Sequence, residues 1–192
     1  MPTVKYIKPQ KSGRVIIGVD TDGELSHYSI SASDYATACF VTGGILSDEE
    51  LSLLVTLDEE YRAVKKALSL LSYSDKNRKA IYMRLVRLGF SREAAKKAVE
   101  YCLVNGFINE ESQLERLVYN EANVNLRGPG YIRNKLAAKG YSRDDIDSAI
   151  DRLVTSGEID FVIILDALCE KKSATTAEER KALAYKYGFR GV

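Results

Sequence analysis

One stretch of this 192-residue chain occurs twice, and the duplication restricts the folds open to it. The first copy spans residues 58–108. Its centre reads Ile81-Tyr82-Met83-Arg84-Leu85-Val86-Arg87-Leu88-Gly89-Phe90-Ser91, and it closes on Asn105-Gly106-Phe107-Ile108. Shifted by 51 positions, with no gap, the second copy reads Ile132-Arg133-Asn134-Lys135-Leu136-Ala137-Ala138-Lys139-Gly140-Tyr141-Ser142 and closes on Ser156-Gly157-Glu158-Ile159. Apolar residues match apolar residues at helical spacing, and glycine matches glycine. A period near 50 with that pattern indicates a tandem helical array.

Each copy predicts three helices. In the first, a helix over residues 58–72 opens on three acids, as the helix dipole prefers, and carries the stripe Tyr61, Val64, Leu68 and Leu71. A second helix over residues 75–88 buries Ile81, Leu85 and Leu88, and Gly89 ends it in the left-handed conformation. Ser91 caps the third, which buries Ala95, Ala98, Val99, Cys102 and Leu103. The second copy uses Leu114, Leu117 and Val118, then a helix opened by Pro129, then a Ser142-capped helix with Ile146, Ala149, Ile150 and Leu153. A third copy begins with Phe161, Ile164, Leu165 and Leu168. It continues over residues 178–187 and stops without a third helix.

Ahead of the repeats, the β-branched run Arg14–Val19, the turn Asp20-Thr21-Asp22-Gly23 and the alternating segment Glu24–Ser31 predict a β-hairpin. An isolated hairpin is marginal in water, so a third strand from Val4–Lys8 or a covering helix is expected. Ser33-Asp34 opens a short helix stopped by Gly43-Gly44. Ser47 and Glu50 have capping-box spacing before Leu51, Leu54 and Val55. The fold class expected is mainly α, with a small N-terminal β-hairpin region (1–57), two three-helix repeats (58–108 and 109–159) and an incomplete third (160–192).

The totals exclude several functions. No apolar run reaches the roughly 20 residues of a membrane span, and the start lacks a signal-peptide core, so a cytoplasmic location is expected. Cys39, Cys102 and Cys169 form no CxxC pair, and His27 is the single histidine, so neither a disulfide framework nor a metal site is suggested. Gly128-Pro129-Gly130 lacks the GxxxxGK[ST] of a phosphate loop. No catalytic set and no cofactor is expected.

What remains is surface charge. The net +1 conceals contrast: residues 58–108 carry eleven basic and six acidic side chains, residues 109–159 seven and nine. Lys76, Lys79, Arg84 and Arg87 on one helix, with Arg92, Lys96 and Lys97 on the next, form a candidate binding face. In the second copy Arg127, Arg133, Lys135, Lys139 and Arg143 occupy the corresponding region. A solvated helix face is the plain alternative, but Arg84/Lys135 and Arg92/Arg143 repeat at the same offset. Such a face can attract nucleic acid.

These residues also carry a resemblance. Leu71–Lys76, Leu85-Val86-Arg87-Leu88-Gly89-Phe90 with Leu136-Ala137-Ala138-Lys139-Gly140-Tyr141, Gly106-Phe107-Ile108-Asn109-Glu110-Glu111 and Arg127-Gly128-Pro129 resemble, in order and spacing, the motifs of the RecX family of bacterial regulators of the recombinase RecA. The resemblance implies three tandem three-helix modules in an elongated, curved molecule, and a monomer is expected. It implies binding to RecA and the RecA–DNA filament, with modulation, usually inhibition, of strand exchange, ATP hydrolysis and coprotease activity, and so an effect on DNA repair and the SOS response. Two departures stand out: the third module stops at Phe189-Arg190-Gly191-Val192, and the net charge is lower than the strongly basic character of some members. A stand-alone DNA-binding protein built of helix-turn-helix-like modules is the alternative.

Overall fold

Arg14–Thr21 (β2) and Glu24–Ser31 (β3) pair antiparallel around Asp22-Gly23, both at positive φ (53° and 92°), as a tight two-residue hairpin turn requires. Thr3–Pro9 (β1) adds the expected third strand, giving the order β1-β2-β3. The structure is a computed structural model and describes residues 1–73 and 76–189. Val4, Val15, Ile17, Val19 and Ile30 face inward and pack with Phe40, Leu46 and Leu54. The outer face carries Tyr6, whose ring covers Gly18 where a side chain would stand and whose hydroxyl meets His27 Nδ1 at 2.7 Å. His27 is thus a surface strand histidine.

The short helix is Ala32–Ala38 (α1). Its cap is Ser31, two positions ahead of the expected Ser33, because Ser31 Oγ accepts from the Asp34 amide. It ends at Cys39 in the left-handed region (φ 55°), before Gly43-Gly44 is reached.

Residues 48–72 do not form two helices. One helix, Asp48–Leu71 (α2), runs through the expected junction, with Ser47 and Glu50 closing the expected capping box. Nothing between Leu51 and Asp58 breaks a helix, and the three acids at 58–60 are not start signals. Asp58 is buried and accepts from the Ser29 amide (2.7 Å) and Arg62 (2.8 Å). Glu59 accepts from the Ser91 amide and hydroxyl (2.7 and 2.8 Å), and Glu60 from Lys97 (2.6 Å). Asp58 ties the middle of α2 to β3, and Glu59 and Glu60 tie it to the segment Ser91–Lys97. The inner line of α2 is correspondingly rotated: Ala63 and Ala67 are fully buried, while Tyr61 is half-buried and Val55 is exposed.

Arg78–Arg87 (α3) follows, capped by Asn77 Oδ1 on the Ala80 amide, and then Arg92–Val104 (α4). The expected opening of α3 at Asp75, with Ser74, lies outside the described residues. Ile81 and Leu85 are buried as expected. Leu88 (43% exposed) is not, because the helix ends at Arg87 and the chain turns outward at Leu88. Leu103 (36% exposed) also falls outside the α4 stripe, one position beyond Cys102. Cys102 and Cys169 are buried and free, Cys39 is exposed, and burial pushes the Cys102 thiol pKa up.

The second copy comprises Glu110–Tyr119 (α5), Pro129–Lys139 (α6) and Arg143–Thr155 (α7). The duplication extends to individual backbone hydrogen bonds. Phe90 N donates to Leu85 O and Tyr141 N to Leu136 O. Ile108 N donates to Cys102 O and Ile159 N to Leu153 O. Gly89 (φ 92°) and Gly140 (φ 101°) occupy the same helix-ending position, where L side chains are strained. Asn120–Val124 extends α5 as a π-helical turn. Phe161–Lys172 (α8) and Ala177–Tyr187 (α9) follow where the incomplete third copy is expected, and Arg190–Val192, the rest of its expected end, lies outside the described residues. The chain divides into two compact units, Met1–Ile108 and Asn109–Val192. Among the described residues no helix is long and apolar enough to cross a membrane.

Candidate binding surface

In unit Met1–Ile108 the basic residues of α3 follow from helical geometry. At about 100° per residue, Lys79, Met83, Arg84 and Arg87 span an arc of roughly 140° on the side away from Ile81 and Leu85. All four are exposed, and Met83 is 42% exposed. Arg84 and Arg87 lie in the last turn of α3, where cations also favour the helix terminus. On α4, Arg92 and Lys96 are exposed one turn apart. None of the side chains of Lys79, Arg84, Arg87, Arg92 and Lys96 has an ion pair or hydrogen bond among the described residues. Lys76 is half-buried and engaged in contacts of its own. Lys97 points elsewhere: it is bonded to Glu60 on α2, which raises its pKa.

Unit Asn109–Val192 uses its cations differently. The Arg127 guanidinium lies between two rings, 4.4 Å from the centroid of Tyr131 and 4.6 Å from that of Tyr187. Arg133 is paired with Asp147. Lys135 reaches Glu121 at 2.6 Å. Arg143 is exposed without an ion pair among the described residues, and Lys139 is exposed with a partner of its own. The offset that matches Arg84 to Lys135 therefore does not match their surroundings: one cation is free, the other is held.

Glu121 is the residue sequence reasoning missed. It sits on the π-helical turn, 7% exposed, with Oε1 on Lys135 and Oε2 buried without a hydrogen-bond partner among the described residues. Its counterpart 51 positions earlier is Leu70, so no repeated signal pointed to it. Lys135→Ala should destabilise this unit by about 1–3 kcal/mol, because a buried carboxylate is left without its cation. Thermal melting checks this. An unchanged midpoint would show that the pair contributes nothing net.

Gly128-Pro129-Gly130 is a docking point for backbone. The Gly128 amide donates to Tyr187 O and the Gly130 amide to Gly188 O, both at 2.9 Å. The carbonyl end of α9 thus satisfies the free amide end of α6, and the two helix dipoles meet head to tail. Pro129 stands at the first turn of α6, as expected. Among the described residues no cluster of His, Cys, Asp and Glu could hold a metal.

No family profile matches the chain. The regulatory protein RecX of Lactobacillus johnsonii is 26% identical over 151 residues, covering 78% of this chain and 55% of that protein. RecX of Lactobacillus delbrueckii subsp. bulgaricus is 29% identical over 153 residues, again 78% of this chain and 55% of that one. RecX of Staphylococcus saprophyticus is 21% identical over 185 residues, 96% of this chain and 68% of the relative. A crystal structure of regulatory protein RecX superposes with a TM-score of 0.76 at 21% identity over 100% of this chain and 95% of that one. The chain is thus similar to RecX regulatory proteins in sequence and, over its full length, in fold. A second RecX structure, from Lactobacillus salivarius, covers 70% of the chain with a TM-score of 0.57 at 19% identity. The mainly helical fold with an N-terminal three-stranded sheet is a RecX-like fold. The chain spans about half the length of the Lactobacillus relatives it matches, 55% of each.

Proposed function

We propose that this chain is a RecX-family, non-enzymatic cytoplasmic regulator that binds RecA, chiefly as the RecA–DNA filament. There it modulates, usually inhibits, strand exchange, ATP hydrolysis and coprotease activity, and through them DNA repair and the SOS response. The observation that carries this reading is the end-to-end agreement of fold with a RecX structure, together with sequence relatives that are named regulatory proteins RecX. The tandem modules suit a filament: contacts that are weak one by one combine as avidity when several are presented on one chain. On this reading the unpaired cations of α3 and α4 sit near DNA phosphates, with a salt-dependent contribution. Lys139 and Arg143 offer the corresponding surface in the second copy, and Arg127, Arg133 and Lys135 support it from within. The chain acts as a monomer and needs no cofactor.

Co-sedimentation of the chain with RecA filaments on single-stranded DNA tests the reading, with bare DNA and RecA alone as controls. Retention by the filament above either control is expected. Equal retention by bare duplex DNA without RecA supports the second reading, a stand-alone DNA-binding protein, which the same free cations favour.

A further inference from the structure

The two copies share a groove between their first and third helices, and its chemistry is opposite in the two. In unit Asn109–Val192 it lies between α5 and α7, measures about 530 Å³ and is lined by charged residues, among them Glu115, Arg116, Arg152 and Glu158. Arg152 is bound to Glu111 (3.2 Å) and Glu115 (2.8 Å) across it. In unit Met1–Ile108 the matching groove lies between α2 and α4, measures about 300 Å³ and is closed at one end by the start of α1. Here Tyr61 stands for Ser112, Val64 for Glu115 and Tyr101 for Arg152, each at the offset of 51. Phe107 stands for Glu158.

The fold does not demand the aromatic set, because the second copy closes the same helix pair without it. Tyr101 is stacked on Phe107 (centroids 6.3 Å, planes at 18°), and the two remain 44% and 52% exposed, with Val104 beside them in the chain at 81%. The hydroxyls of Tyr61 and Tyr101 have no hydrogen-bond partner among the described residues. A half-buried and an exposed tyrosine around a slot are the composition of a protein-binding hot spot. The charges at the slot are Asp34 and the Glu60–Lys97 ion pair (2.6 Å), which leaves one net negative charge. That acidic surplus repels a polyanion and favours a cationic partner.

We infer that the α2–α4 groove of the first copy is the protein-contact site of this chain, taking an aliphatic side chain from a RecA subunit between Tyr61, Val64 and Tyr101 and a neighbouring Lys or Arg beside Asp34. The inference rests on the RecA reading above. It separates two faces of one unit: α3 with its free cations for DNA, the α2–α4 groove for protein.

The test uses the full chain and substitutions that the second copy already accommodates: Tyr61→Ser with Tyr101→Arg, and separately Phe107→Glu. Binding is measured to RecA filaments assembled on oligo(dT) and to the same bare oligo(dT), with melting curves for both variants. The expected result is a fall of about tenfold or more in filament affinity for each variant. Bare-DNA affinity should hold within about twofold and melting should be near that of the unaltered chain. Filament affinity that is unchanged in both variants overturns the groove and leaves the RecA reading standing. A parallel fall in bare-DNA binding overturns it too, by making the groove a DNA surface. An unaltered chain that ignores filaments removes the RecA reading and the groove with it.

Discussion

Gly188→Ala should detach α9 from α6 and lower the melting temperature of unit Asn109–Val192 by roughly 12 °C or more, corresponding to about 3 kcal/mol. Gly188 sits at φ 89°, and a Cβ there would stand 2.4 Å from Tyr131 N and 2.7 Å from Tyr131 Cβ. Both neighbours belong to the rigid first turn of α6, so neither gives way cheaply. The opposing Gly128 is equally tight: its Cβ would stand 2.4 Å from the Gly188 carbonyl. Separating the two helices also breaks the two 2.9 Å backbone bonds and pulls Tyr187 off Arg127. Gly157→Ala is the control. It has a similar φ of 77° with nothing within 4 Å, so it incurs only the left-handed penalty of about 1 kcal/mol. Calorimetry that finds the two variants equally stable would show that close approach is not what holds α9.

The second large effect concerns the charged face. Lys79→Glu, Arg84→Glu and Arg87→Glu together should weaken binding to RecA filaments by about two orders of magnitude at moderate salt. The slope of log affinity against log salt should shrink by about three, on the order of 0.9 for each phosphate no longer neutralised. Helix content should not change, since all three side chains are exposed and none has a partner among the described residues. The same substitutions should weaken bare-DNA binding in proportion, unlike those in the α2–α4 groove. Salt titrations of both ligands decide. An unaltered slope would place the DNA-facing cations on residues other than those of α3.

The repeat was legible in the sequence because backbone geometry writes itself into a few residue types. Gly89 and Gly140 are needed at positive φ, Ser91 and Ser142 cap an amide three residues on, and Ile81, Leu85, Ile132 and Leu136 fall on one helical side. Long-range roles of polar residues were not legible. Asp58-Glu59-Glu60 has the composition of a helix start, yet those carboxylates reach β3, the cap of α4 and Lys97, partners 29 to 37 positions away. The π-helical turn at Asn120–Val124 has no local signature, so Glu121 and its hold on Lys135 were invisible. The third copy drifts as well: Gly188, not a residue 51 beyond Gly140, ends its second helix. At the candidate site the positions of the charges could be read and their pairing could not. Arg84 and Lys135 look alike in sequence, but one faces solvent and the other closes on a buried carboxylate.

The rate of RecA ATP hydrolysis on single-stranded DNA, followed as this chain is added, tests the RecA reading most directly. A fall in rate that saturates with concentration, and that is relieved by Lys79→Glu, Arg84→Glu and Arg87→Glu, is expected. A rate that stays constant up to saturating amounts of the folded chain, with no change in strand exchange, would contradict it.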